Sequence, residues 1–157
     1  MKIRIGKEGQ IMTYETIHVV EFSSARKMMT VVVKELSSGK YLMFTKGAES
    51  VIGRLRTESD NDSEVTDQVF QKVDEYGRQG LRTLVFAMRE ISQSEFDTIN
   101  WKDEERIPTL IEKDLKILGC TAVMDQLQDD VASCIEDFRQ AGIKVWMLTG
   151  DMGKTAE

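Results

Sequence analysis

Two cations and an aromatic ring, far apart along the chain, are the side chains best suited to a phosphate-bearing ligand. Lys46 closes the apolar run Met43-Phe44-Thr45 and is followed by Gly47-Ala48. A flexible ammonium at a strand end, beside a residue with no side chain, suits phosphate. Phe22 heads the stretch Ser23-Ser24-Ala25-Arg26-Lys27-Met28-Met29. An aromatic ring at a strand end can stack on a planar base, worth roughly 1–3 kcal/mol per base. Met29 would line the same apolar slot, and Lys27 would add positive potential. Arg82, in Gly80-Leu81-Arg82-Thr83-Leu84, opens an otherwise apolar run. A guanidinium there can fork onto a phosphate. Thr149-Gly150-Asp151 follows a second apolar run and offers a hydroxyl, an unshielded amide and a carboxylate. That set suits phosphate and magnesium chemistry.

Each of these signals has an ordinary reading. Lys46 alone is a solvated lysine. Phe22 and Met29 alone are core residues, with Arg26 and Lys27 at the surface. Arg82 pairs with one of many carboxylates, and Thr149-Gly150-Asp151 is a turn. Other chemistries fare worse. His18 is the only histidine and falls in the middle of a strand pattern. The carboxylates sit in charge runs that read as solvated surface. Cys120 and Cys134 lack metal-ligand spacing and read as small buried residues in a reducing compartment.

Composition sets the frame. With 21 Lys and Arg against 27 Asp and Glu, the chain carries a formal charge of −6, which argues against a nucleic-acid binder. A single nucleotide needs only one or two local cations and stays open. At 41% hydrophobic and 31% charged, the 157 residues read as ordinary globular protein. No apolar run approaches the ~18 residues of a membrane span. Lys2-Ile3-Arg4-Ile5 reads as a strand, not a signal peptide.

The elements that would position the chemistry follow from periodicity. Lys2–Ile5, Tyr14–Phe22, Met28–Leu36 and Lys40–Thr45 have strand character, with a turn at Lys7–Gln10 and a hairpin turn at Ser37–Lys40. Ala48–Leu55 predicts a short helix, and Thr57–Ser63 a mobile loop. Val65, Val69 or Phe70, Val73 and Tyr76 predict a helix closed by Gly77 and Gly80. Arg82–Ile91 predicts a strand buried on both faces. Ser92 and Glu95 have capping-box spacing for a helix with Phe96 and Ile99 on its apolar side. Pro108 follows a charged stretch, Leu110–Lys116 is ambiguous, and Leu115–Met124 is strand-like. Beyond Asp125, the i, i+3, i+4, i+7 set Val131, Cys134, Ile135 and Phe138 predicts a helix ended by Gly142. Ile143–Leu148 then reads as a strand of a doubly wound α/β sheet, where ligands sit beyond strand carboxyl ends.

In order, Glu21-Phe22-Ser23-Ser24-Ala25-Arg26-Lys27-Met28-Met29, Lys46-Gly47-Ala48-Glu49-Ser50 and Gly80-Leu81-Arg82-Thr83-Leu84 resemble the nucleotide-binding domain of P-type ATPases. Asp125-Gln126-Leu127-Gln128 and Ala141-Gly142-Ile143-Lys144-Val145-Trp146-Met147-Leu148-Thr149-Gly150-Asp151 resemble the type-IV branch, the phospholipid flippases. The resemblance implies that Phe22 stacks on adenine. Ser24, Lys27, Met29, Lys46 and Gly47 would line the pocket, and Arg82 would reach the phosphates. It makes Asp125 a hinge, and it puts Thr149, Gly150 and Asp151 beside the phosphorylation site. The family's Asp-Lys-Thr-Gly-Thr motif does not occur in the chain.

The expectation is therefore an α+β fold: an antiparallel sheet flanked by helices, then a truncated α/β, haloacid-dehalogenase-like piece. Residues 1–125 would be an N-terminally truncated nucleotide-binding domain and 126–157 a fragment of the phosphorylation domain. The piece would be soluble, at the cytosolic face of an integral membrane parent. It would bind ATP and present it to an aspartate outside the fragment. It would hold no catalytic residue or metal site of its own, most magnesium ligands lying elsewhere. Further partners would be the other domains of the parent, a phospholipid through the membrane domain, and an accessory subunit, with no nucleic acid. The alternatives are a cation-transporting branch, a haloacid-dehalogenase-type phosphatase or phosphotransferase, and an interaction module with a charged surface. The phosphatase needs an Asp-x-Asp loop after a strand, and Asp60-Asn61-Asp62 has no apolar strand before it.

Overall fold

The computed structural model describes residues 1–4, 9, 11–57, 63–124, 126, 128–146 and 148. The strands are β1 (Lys2–Arg4), β2 (Ile11–Ser23), β3 (Met28–Glu35), β4 (Tyr41–Gly47), β5 (Arg82–Ile91) and β6 (Lys116–Val123). They form one sheet in the order β1-β2-β3-β4-β5-β6, with every neighbouring pair antiparallel. The β4–β5 connection carries α1 (Glu49–Ile52) and α2 (Ser63–Arg78); the β5–β6 connection carries α3 (Gln93–Thr98) and α4 (Ile107–Ile111). Helix α5 (Val131–Gln140) follows the sheet.

Alternation along the strands divides the sheet into two faces. Across one face run the register rows Met28, Gly47, Val85, Cys120 and Thr30, Thr45, Ala87, Ile117. Their apolar members pack with Ile52, Val73, Ile99, Ile107 and Ile111 from the helical connections into a single core. Helices can cover this face because both connections are long. The other face presents Met29, Lys46, Phe86, Gly119 and then Val31, Phe44, Met88, Lys116.

Local chemistry explains the element ends. The Ser37–Lys40 turn forms as expected: Gly39 takes φ +73° and its N–H donates to the Glu35 carbonyl at 2.8 Å. Gly80, at φ +75°, ends α2, whereas Gly77 lies inside its last turn. Ser92 Oγ accepts from the Glu95 N–H at 3.2 Å. The reciprocal half of the expected box does not form, because the Glu95 carboxylate turns to Arg89 at 2.7 and 2.8 Å.

Several expectations are corrected. Strand β5 is buried on one face only: Val85 is 0% and Ala87 1% exposed, while Leu84 is 39% exposed. The core helices lie over one side of the sheet, so an unbroken apolar run here does not mean two-sided burial. The seam of α2 is Thr66, Val69, Phe70 and Val73, one residue on from the expected Val65, which is exposed. Cys120 is half-buried and Cys134 exposed. Helix α5 ends as expected, with Gly142 at φ +74° and the Ile143 N–H reaching the Phe138 carbonyl at 2.8 Å. Residues 143–146 and 148 form no strand, since the described residues offer no neighbouring parallel strand to pair with them. Of the turn at Lys7–Gln10, only Gly9 is described, and residues 58–62 of the expected mobile loop lie outside the described residues.

Candidate functional site

The antiparallel order brings one end of five strands together: the ends of β2, β4 and β6 and the starts of β3 and β5. Phe22, Met29, Lys46 and Arg82 all belong to this end. A bulge sets Phe22. Val20 pairs with Thr30 and Ser23 with Met28, so Glu21 and Phe22 together oppose Met29. A bulge of this kind bends its strand and re-aims a side chain. Since Ser23 sits opposite Met28 of the covered face, Phe22 belongs to the open one. It is 61% exposed, which rules out the core-packing reading.

Met29 lies directly opposite Lys46, and Lys46 opposite Phe86. Phe22, Met29, Lys46 and Phe86 therefore form a row across four strands, each strand about 4.8 Å from the next. Arg82 has the same parity on β5 as Phe86, and so the same face, about 13 Å further toward the strand's start at ~3.3 Å per residue. Lys46 is exposed and makes no ion pair among the described residues. Arg82 is exposed as well.

The β2–β3 loop, Ser24 to Lys27, lies at this end. The Lys27 N–H donates to the Ser23 carbonyl at 2.7 Å, and the Arg26 N–H to Ser23 Oγ at 3.2 Å. Ser24 and Lys27 are both exposed, and Lys27 holds a left-handed φ of +54°. Such a conformation costs a non-glycine residue roughly 1–2 kcal/mol. The strand end is further clamped by the Ala48 N–H, which donates to the Lys27 carbonyl at 3.0 Å.

Gly47 has a different part from the one its neighbourhood suggests. It is buried, and a Cβ built there would meet Met28 Cβ at 2.6 Å and the Lys27 carbonyl oxygen at 2.7 Å. Close approach of β3 and the Ser24–Lys27 loop requires the glycine, so its missing side chain leaves no room for a ligand.

Two elements of this site escaped sequence reasoning. Phe86 joins the row through its parity with Leu84 and Met88, a signal the alternation carried. Arg26, expected at the surface, is partly buried and ion-paired with Glu112, a residue 86 positions away. No local pattern announces such a pair. Asp125, Thr149, Gly150 and Asp151 lie outside the described residues. Among the described residues, no three His, Cys, Asp or Glu are grouped to hold a metal ion, and no helix is long and apolar enough to cross a membrane. An open cleft of about 580 Å³ lies elsewhere, between α5 and residues 142–146, lined by Ile135, Ile143, Val145 and Trp146 among others. It shares no residue with the row on the sheet.

A six-stranded antiparallel sheet, helices on one face and an aromatic–methionine–lysine row on the other define a class. Residues 2–130 match the family described as P-type ATPase, cytoplasmic domain N, and the chain belongs to that family. Its relatives include phospholipid-transporting ATPase 2 of Arabidopsis thaliana, 37% identical over 98% of this chain and 15% of the relative. Phospholipid-transporting ATPase IC of Xenopus tropicalis is 37% identical over 99% of this chain and 13% of its own length. Phospholipid-transporting ATPase DNF1 of Saccharomyces cerevisiae is 39% identical over 97% of this chain and 11% of its own. The chain thus spans a small part of the length of the relatives it matches.

Proposed function

We propose that this chain binds ATP on the open face of its sheet, as the nucleotide-binding part of a phospholipid-translocating ATPase. The observation that carries the reading is the row Phe22–Met29–Lys46, with Arg82 on the same face at the same strand ends. Phe22 supplies an exposed ring for adenine, and Met29 an apolar floor beside it. Lys46 lies deep in the pocket, near the base and sugar. Arg82 forks onto the phosphate chain, and Lys27 raises the local potential. Ser24 lines the rim.

The parent's chemistry lies beyond these residues. On this reading, residues 1–125 deliver ATP to an aspartate elsewhere, and residues 126–157 belong to the phosphorylation domain. Asp125 is the hinge between them, and Thr149, Gly150 and Asp151 face the transferred phosphoryl group. Among the described residues no three His, Cys, Asp or Glu side chains are grouped to hold the magnesium that would offset charge on the phosphates. The fragment alone does not turn over ATP, because its sequence has no Asp-Lys-Thr-Gly-Thr nucleophile. The apolar seam of α5 supports the α/β assignment: Ile135 and Phe138 are 40% and 44% exposed, as expected of a helix whose sheet is supplied by other segments. A phospholipid, a cytosolic-face location and an accessory subunit belong to the parent. The cation-transporting alternative is weaker, because the relatives named above are phospholipid-transporting proteins.

The test is an amide-shift titration with ATP. Shifts are expected at Phe22, Met29, Lys46 and Arg82. Phe22→Ala should weaken binding by roughly 1–3 kcal/mol, the worth of one stacked base. Its melting temperature should hold, because the ring is 61% exposed. Unmoved amides at millimolar ATP would sink the reading.

A further inference from the structure

Beneath the open row lies a polar network on the helix-covered side. Arg26 Nη1 donates to the Glu21 carbonyl at 2.8 Å, and Nη2 donates to Glu112 Oε1. The same carboxylate oxygen accepts from Thr30 Oγ1 at 2.7 Å. Thr30 Oγ1 and Thr45 Oγ1 are 3.0 Å apart, and Thr45 Oγ1 donates to the Met29 carbonyl at 3.0 Å. Each hydroxyl has one proton. The charge-assisted bond takes that of Thr30, and the Met29 carbonyl takes that of Thr45. The Glu112 side chain is 8% exposed and that of Arg26 24%.

Three groups in this network are next to a residue of the open row. Glu21 precedes Phe22 in the bulge. Thr30 follows Met29, and Thr45 precedes Lys46, on the opposite face of the same strands. Glu112 caps α4, and that end of α4 is pinned a second time by Arg89, whose Nη1 donates to the Ile111 carbonyl at 3.2 Å. The helix end is thus a fixed anchor. Arg26 ties to it both the loop that carries Ser24 and Lys27 and the bulge that aims Phe22.

We propose that Arg26 and Glu112 are positioning residues of the nucleotide site, holding the Phe22 ring and the Ser24–Lys27 loop in register with Met29 and Lys46. The proposal rests on the ATP-binding reading above. Neither residue touches the ligand; the pair removes loop freedom that binding would otherwise have to freeze.

Either single truncation leaves a largely buried charge without its partner and risks unfolding. The decisive variant is therefore the double change Arg26→Met with Glu112→Leu, which fills the space with apolar side chains. Hydrogen exchange is followed at Phe22–Lys27 without nucleotide, and ATP affinity by amide-shift titration. The double variant should stay folded, exchange faster at these amides, and bind ATP about tenfold more weakly. Glu112→Gln keeps an acceptor for both Arg26 and Thr30 and should stay within about threefold of the parent chain. Ile107→Val, in the same helix, loses packing yet should leave ATP affinity unchanged. Undiminished ATP affinity in the double variant overturns the positioning role. So does weakened affinity with unaltered exchange, or an equal loss in Ile107→Val. A parent chain that binds no ATP overturns the functional reading itself, a result distinct from any of these.

Discussion

The sheet with its covering helices and the α5 segment were written in the same code and came out differently. Both carry apolar residues at the right period. In residues 11–123 that period ends in a core where Met43, Ile52, Val85, Ile107 and Leu115 are 0% exposed. In α5 and after it, Phe138 is 44%, Trp146 81% and Leu148 95% exposed. The difference teaches that periodicity specifies a surface ready for burial, while burial needs a partner surface within reach. The β4–β5 and β5–β6 connections bring helices back over their own sheet. Helix α5 meets no equivalent layer among the described residues.

The sharpest way to break this contrast is to truncate a large apolar side chain in each region. Met43→Ala should cost about 2–5 kcal/mol through lost burial and a residual cavity. Phe138→Ala should stay within about 0.5 kcal/mol, as exposed positions do. Urea midpoints of the two variants decide it, and similar losses would erase the distinction.

Adding one methyl at Gly47 should also be felt. The new Cβ would meet Met28 Cβ at 2.6 Å and the Lys27 carbonyl oxygen at 2.7 Å, neither being the far end of a flexible side chain. Gly47→Ala is expected to cost about 1–3 kcal/mol by overpacking. It should also shift the amides of Ser24–Lys27, which a heteronuclear spectrum would show directly.

Lys27→Gly probes the loop with the opposite sign of strain. Relief of the φ +54° conformation offsets the greater freedom of glycine in the unfolded chain, so stability should move by less than about 1 kcal/mol. ATP binding should weaken modestly through the lost charge. A variant that melts early and binds normally would show Lys27 to be a folding residue only.

The smallest effect belongs to the surface pair Lys40–Glu90, 2.8 Å apart. The hydrogen bond to Glu90, and then its charge, raise the Lys40 pKa above the ordinary 10.5. A raised lysine pKa stabilises the fold below pH 10.5, and that contribution is lost as pH climbs through the raised value. Glu90→Gln should return the Lys40 titration toward 10.5 with little change in melting near neutrality. A Lys40 titration that ignores the substitution would show the pair to be broken in solution.

Much of the candidate site's placement was legible in the sequence. The strand pattern put Phe22, Met29, Lys46 and Arg82 at strand ends, and antiparallel hairpins bring alternate ends together. The exposure of Phe22 was not legible, because a bulge adds one residue and turns the ring to the other face. Nor was the reason for Gly47, which answers to a loop of distant sequence and not to the lysine beside it.

Local rules sufficed wherever a residue's neighbours in the chain are also its neighbours in space: the hairpin at Gly39, the helix ends at Gly80 and Gly142, the Ser92 cap, and the alternation of β3 and β4. Tertiary structure alone decided which face of β5 is buried, that Arg26 turns inward to Glu112, and that residues 143–146 find no strand to pair with among the described residues. Those outcomes depend on surfaces brought together from far along the chain, and the free energy of burial or pairing exists only once both surfaces are present.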